Sequence, residues 1–198
     1  MTNTQAPARV AIVGLAAYTG QEAARLVGRH PNLQLVAASS DAMAGASIHT
    51  LLPTIGLDVD VTVVGHGDSV AAAIDEGAEV ALLATPPNRS DGLVGELLQA
   101  GLRVIDLSGA YRIEDPTAHI AAYGYPRESH RSCVYGLTEW TTPEILSRAS
   151  LVSNPGGFPT AALLPLLPLL TEGLITPERI VMDAKSGTTG AGRSAKIS

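Results

Sequence analysis

Apolar residues fall in short blocks along the chain, and the spacing within each block separates strands from helices. Val10–Val13 is an apolar run that ends at Gly14, and the following Gln21–Arg29 brings Ala23, Ala24, Leu26 and Val27 inward at helical intervals. The unit reads as strand, turn, helix. Leu33–Ala38, Val59–Val64, Val80–Ala84 and Leu102–Leu107 supply four more strands, and Ser90–Ala100 forms an amphipathic helix through Leu93, Val94, Leu97 and Leu98. Strands alternating with helices predict right-handed crossovers and an α/β class built on a doubly wound parallel sheet.

Between Ser108 and Tyr135 the pattern dissolves into Gly, Pro, His, Tyr and charged residues, a stretch too long for an ordinary connection and therefore read as a functional loop. Thr142-Pro143-Glu144 then offers an N-cap with proline at the first helical position, and a short helix leads to Leu151-Val152-Ser153. Asn154-Pro155-Gly156-Gly157-Phe158-Pro159-Thr160 is a turn from strand to helix. The helix beyond it contains Pro165 and Pro168, which remove backbone hydrogen bonds and predict a kinked helix or two short ones. A further strand is expected at about Ile180–Ala184, before the Gly-rich segment Ser186–Arg193.

Composition narrows the function classes. Hydrophobic residues make up 45% of the 198, enough for a real core, and aromatics only 4%, so Ala, Val, Leu and Ile must fill it. A formal charge of -6 without a Lys/Arg cluster argues against nucleic acid as a partner. Cys133 is the only cysteine, which excludes an intrachain disulfide and suits a reducing cytosol. The N-terminus lacks the layout of a secretory signal. The apolar stretch Ala161–Leu170 is interrupted by two prolines and is far shorter than the roughly 20 residues that cross a bilayer, so the chain reads as soluble.

Candidate chemistry begins at Gly14-Leu15-Ala16-Ala17-Tyr18-Thr19-Gly20, between the first strand and the first helix, where backbone N–H groups and the helix dipole can hold a pyrophosphate. The alternative is a tight turn without a ligand. Read as G-x-x-G-x-x-G, its middle position is Ala17, and if that site needs positive φ the methyl group costs on the order of 1 kcal/mol. Ser39-Ser40-Asp41 follows the second strand, where such folds meet the adenosine ribose; the acid favours NAD, the serines suit a 2′-phosphate, and a plain polar turn is equally compatible. Gly157 stands just before a helix, a setting that would activate a thiol but holds no nucleophile; a simple Gly-rich turn is the bland reading. Cys133 fits a small buried side chain better than a reactive one. Histidines 30, 49, 66, 119 and 130 show no metal-binding spacing. Arg112 and Arg193 could each clamp a carboxylate or phosphate, or make a surface salt bridge.

The glycine turn with Tyr18-Thr19-Gly20, Arg29-His30-Pro31, Asp106-Leu107-Ser108 through Arg112, Tyr135-Gly136-Leu137, Asn154-Pro155-Gly156 with Pro159-Thr160-Ala161, and Asp183-Ala184-Lys185-Ser186-Gly187 with Gly190–Arg193 occur in one order over nearly the whole chain. In that combination the sequence resembles the N-acetyl-gamma-glutamyl-phosphate reductase family of arginine biosynthesis. The resemblance implies a Rossmann-like dinucleotide-binding domain over residues 1–155, followed over 156–198 by the beginning of an incomplete α+β substrate and dimerisation domain. It implies NADP(H) at Gly14, Ala17, Tyr18, Thr19, Gly20, Ser39, Ser40 and Gly187, and an acyl-phosphate substrate at Ser108, Arg112, Asn154 and Arg193. A cytoplasmic homo-oligomer is expected. In the family a cysteine thiolate attacks the acyl phosphate, phosphate leaves, and the thioester takes hydride from NADPH to give the semialdehyde. Here the cysteine's position is Gly157, and the family's tyrosine is Phe158.

Losing the nucleophile of a catalytic unit costs on the order of 10⁶-fold in turnover, so the chain by itself is expected to be inactive or incomplete. The family's later His-Arg-His segment is also missing before Ser198, which suggests a truncated reductase. A non-catalytic dinucleotide-binding module or assembly partner is the alternative. A reductase for aspartyl phosphate or a carrier-bound aminoadipyl phosphate would need the same thiol.

Overall fold

The computed structural model describes residues 6–53, 60–128 and 131–187. Six strands run parallel in one sheet: β1 (Ala8–Val13), β2 (Leu33–Ser39), β3 (Val80–Leu83), β4 (Arg103–Asp106), β5 (Val134–Tyr135) and β6 (Leu151–Ser153), in the order β2-β1-β3-β4-β6-β5. The order departs in both directions from β1, as in a doubly wound Rossmann-like fold. Because both faces are covered near the centre, strands here are apolar runs rather than alternating ones. The period of two decides only which layer a residue joins. Val10 and Ile12 of β1 pack toward α1 (Tyr18–Arg29), whereas Ala11 and Val13 pack with Ala73 of α3 (Ser69–Asp75) and with Val94 and Leu97 of α4 (Pro87–Gln99). Small alanines in β1, β2 and β3 let the helices approach closely.

The region read as the strand Val59–Val64 has only bridges among the described residues: Val64 pairs in parallel with Ser39 at the edge of β2, and Thr62 pairs in antiparallel sense with Ser47, just ahead of the short α2 (Ile48–Leu51). Val59 lies outside the described residues. Leu26 departs from expectation. Gly20, Ala23, Ala24 and Val27 form the buried stripe of α1, while Leu26, one residue step of about 100° away, is 55% exposed.

The loop after β4 holds a helix that periodicity missed, α5 (Pro116–Tyr123). Asp115 caps it through its carboxylate and the Ala118 amide, proline opens it, and Gly124 closes it at φ 77°. A helix α6 (Pro143–Arg148) follows as expected, although Thr142 makes no side-chain cap. The last helix, α7 (Gly157–Thr171), runs through Pro165 and Pro168 as one element rather than two, the flanking leucines and alanines being good helix formers. None of its residues is buried. Residues 180–184 are not a strand: they are mostly exposed, Val181 at 92%, and no described strand lies beside them to take up their backbone hydrogen bonds.

Candidate functional site

Gly14 adopts φ 100°, and a Cβ there would lie 2.5 Å from the Ala84 carbonyl oxygen; one on Gly20 would lie 2.3 Å from the Gly14 oxygen. Both glycines are therefore required by close packing of strand, turn and helix. Their backbone is fixed by the Ser39 carbonyl, which accepts from the amides of Gly14 and Leu15 at 3.0 and 2.9 Å. Ala17 is the N-cap of α1 at φ −68°, ψ 149°, an ordinary extended conformation, so the strain feared for an alanine here is absent. Its side chain cannot cap the helix, and none does so, which leaves the first turn of a 12-residue helix suited to an anionic group. The cradle fits a dinucleotide pyrophosphate.

At the end of β2 the two serines are withdrawn from solvent, each 1% exposed, and the Ser39 hydroxyl pairs with Nδ1 of His66 at 3.3 Å. The exposed groups are others. Asp41 accepts the His66 amide on Oδ1 at 2.7 Å, and its Oδ2 lies 3.6 Å from Nη1 of Arg89 on α4. The His66 amide, helped by the neighbouring cations, holds Asp41 below the usual carboxylate range. Burial, then the Arg89 charge, lowers His66, against the pull of Asp41. His66 and Arg89 carried no sequence signal, being isolated polar residues, one in a short turn and the other in the first turn of α4.

A second cluster gathers where β4 and β6 end. The Arg112 guanidinium donates to the Asn154 carbonyl and the Leu107 carbonyl, both at 2.8 Å, and so braces the two strand ends instead of forming a surface salt bridge. Gly156 is packed under it, since a Cβ would stand 2.9 Å from Arg112 Nη1. Ser108 is buried; its amide donates to Asp106 Oδ1 at 3.0 Å, and its hydroxyl accepts from the Ala110 amide at 3.1 Å. Burial pushes Asp106 above the usual range, against the opposing pull of the Ser108 hydroxyl and amide, the Ser90 hydroxyl and the Arg112 charge. Gly157 is the first residue of α7, and among the described residues nothing beyond its chain neighbours and the helix's own backbone lies within 4 Å of where its Cβ would be. Cys133 is half-buried, its Sγ 3.5 Å from the Tyr111 carbonyl, and burial pushes its thiol up, the opposite of an activated nucleophile.

One cavity of about 670 Å³ joins the turn to this cluster: Tyr18, Thr19, Arg112, Asn154, Gly156 and Gly157 all line it. Leu26, exposed on α1, lines its apolar side with Leu82 and Leu107. The fold thus brings Tyr18, Thr19, Arg112, Asn154 and Gly157 together, keeps Ser39 and Ser40 at the far end of the turn, and leaves Gly187 exposed in an irregular segment. Arg193 lies outside the described residues. Among the described residues no group of three or more His, Cys, Asp or Glu is placed to hold a metal ion, and no helix is long and apolar enough to cross a membrane.

A family model described as the semialdehyde dehydrogenase NAD binding domain matches residues 9–148, and one described as the semialdehyde dehydrogenase dimerisation domain matches 157–198. Curated proteins named N-acetyl-gamma-glutamyl-phosphate reductase are similar to it: that of Halalkalibacterium halodurans is 41% identical and that of Rhodospirillum rubrum 40%, each match covering 94% of this chain and 54% of the relative. The chain spans about half the length of these relatives. Among solved structures, aspartate semialdehyde dehydrogenase II of Vibrio cholerae complexed with ASA superposes with TM-score 0.60 at 16% identity, over 83% of this chain and 47% of that one. An aspartate semialdehyde dehydrogenase of Candida albicans with NADP gives 0.52 at 15%, over 84% and 48%. At those identities the likeness is one of fold.

Proposed function

From its membership of the semialdehyde dehydrogenase family, whose NAD-binding domain is formed by residues 9–148, we propose that this chain is the cofactor-binding part of an N-acetyl-gamma-glutamyl-phosphate reductase, with residues 1–155 holding NADP(H) and residues 156–198 opening the substrate and dimerisation domain. The reaction of the whole protein is the reduction of N-acetylglutamyl phosphate to the semialdehyde in arginine biosynthesis. The assembly is a cytoplasmic homo-oligomer.

The observation that carries this reading is a cavity of about 670 Å³ that Tyr18 and Thr19, at the start of α1, line together with Arg112, Asn154 and residue 157. When bound, the nicotinamide cofactor supplies hydride; this chain's residues do the holding. Gly14 and Gly20 keep the turn tight, and the first turn of α1, with Ala17, Tyr18 and Thr19, receives the pyrophosphate. Arg112 fixes the 154–157 turn against β4, so that Asn154 and residue 157 face the same space, and the buried Ser108 with Asp106 holds the start of the Arg112 loop. Gly187 belongs to the cofactor side and Arg193 to the substrate side by resemblance alone. With Gly157 in place of a thiol the chain binds cofactor but forms no thioester there.

Titration of the purified chain with NADPH and with NADH, followed by cofactor fluorescence and by the shift in melting temperature, tests the reading. Saturable binding with NADPH preferred is the expected result. A chain that binds neither nucleotide would sink the assignment of residues 1–155 as a working cofactor domain.

A further inference from the structure

We infer that Arg89 is the residue that recognises the adenosine 2′-phosphate, released for that role from its pairing with Asp41. The inference rests on the NADP(H) reading above and assigns its specificity to a residue outside the loop that follows β2. Three connections meet at the end of β2: the Ser40-Asp41 turn, the short turn at His66–Asp68, and the first turn of α4. This is the end of the sheet where a doubly wound fold receives the adenosine ribose. Ser39 and Ser40 are buried there, and the Ser39 hydroxyl is already engaged by His66. Exposed there are Asp68, which ends the second of these turns, and a charge pair, Asp41 and Arg89, with side chains 65% and 47% accessible.

The two charges pull selectivity in opposite directions. A carboxylate after β2 accepts the 2′-hydroxyl of NADH and repels the phosphate of NADPH. Asp41 is not free to turn away, because its Oδ1 holds the His66 amide at 2.7 Å. Arg89 is free to move: its Nη1 stands 3.6 Å from Asp41 Oδ2, an ion pair rather than a close hydrogen bond, and in an exposed position. Such pairs contribute little, so giving this one up costs little. A guanidinium can meet a phosphate with parallel N–H donors, and the dianion gains more from it than the Asp41 carboxylate does. Arg89 therefore offsets Asp41 and turns the site toward NADPH.

The test is a set of dissociation constants for NADPH and NADH, measured by fluorescence on the wild-type chain, Arg89→Ala, Arg89→Lys and Asp41→Asn, with melting temperatures as a check on folding. Arg89→Ala should weaken NADPH roughly 10- to 100-fold, the range of one or two charge-assisted contacts, and leave NADH within about threefold. Arg89→Lys should recover part of the loss, and Asp41→Asn should strengthen NADPH while weakening NADH. Equal weakening of both nucleotides by Arg89→Ala, or no effect on either, overturns the role of Arg89 while the NADP(H) reading stands on the wild-type preference. A wild-type chain that prefers NADH overturns both.

Discussion

At residue 157 the side chain is missing but its surroundings are prepared. With nothing among the described residues, beyond its chain neighbours and the helix's own backbone, within 4 Å of a Cβ at that position, Gly157→Cys should fold as the parent does, with a stability change within about 0.5 kcal/mol. Standing at the first position of the 15-residue α7, the new thiol should ionise below the ordinary cysteine value near 8.5. Alkylation rates followed against pH check this, with Cys133 as the internal comparison, since burial pushes that thiol the other way. The 157 thiol should react at lower pH and faster at neutrality. Equal rates at the two positions would mean that the helix terminus does not activate the site. Ala17 makes a similar point in reverse. Its departure from glycine looked costly in the sequence, yet φ −68° asks nothing special of the residue.

Among the elements, α5 contains an unpaid debt. His119 is 1% exposed, its centroid 5.0 Å from that of Tyr123, tilted, and 5.0 Å from that of Tyr125, edge-on, and among the described residues neither ring nitrogen has a hydrogen-bond partner; the Tyr125 hydroxyl, pushed up to about 12 chiefly by burial, has none there either. Burial, then the Arg127 charge, lowers the His119 pKa below its ordinary 6.5, with Asp91 pulling weakly the other way. Folding thus favours the neutral ring, and the stability this gives is present above pH 6.5 and lost as pH falls through the lowered value. His119→Phe should gain about 1 kcal/mol near neutrality and a larger margin on acidification, read from urea unfolding at several pH values. A margin that stays constant with pH would show that folding leaves the His119 pKa unshifted. The element itself was legible only in its ends. Asp115-Pro116 and Gly124 are ordinary start and stop signals, but Pro116–Tyr123 has no amphipathic rhythm, because its single buried residue is the histidine. By contrast β1, β2 and α4 announced themselves, since strands buried on both faces are unbroken apolar runs and α4 places Val94 and Leu97 one turn apart. The expected strand at 180–184 failed for the opposite reason: an apolar run states a wish for burial and does not name what will bury it.

The whole molecule is divided between a covered and an uncovered part. Both core clusters lie within residues 10–151, whereas α7 has no buried residue and leaves Phe158 54%, Leu164 38% and Leu169 39% exposed. An apolar surface of this kind associates. Sedimentation or light scattering should show mass rising with concentration, and Phe158→Glu with Leu169→Glu should shift it toward the monomer; a wild-type chain that stays monomeric at every concentration would contradict this. The sequence marked the glycine turn and the 154–157 turn because their residue types carry local meaning. It was silent on the Arg112 brace and on Asp41 with Arg89, which exist only after the sheet brings distant loops together. The same geometry bears on inheritance. Since among the described residues nothing beyond its chain neighbours and the backbone of α7 lies within 4 Å of a Cβ at 157, packing there does not distinguish glycine from cysteine, and a single-base change separates some codons of the one from codons of the other. Descent could erase or restore that thiol without leaving a mark anywhere else in the chain.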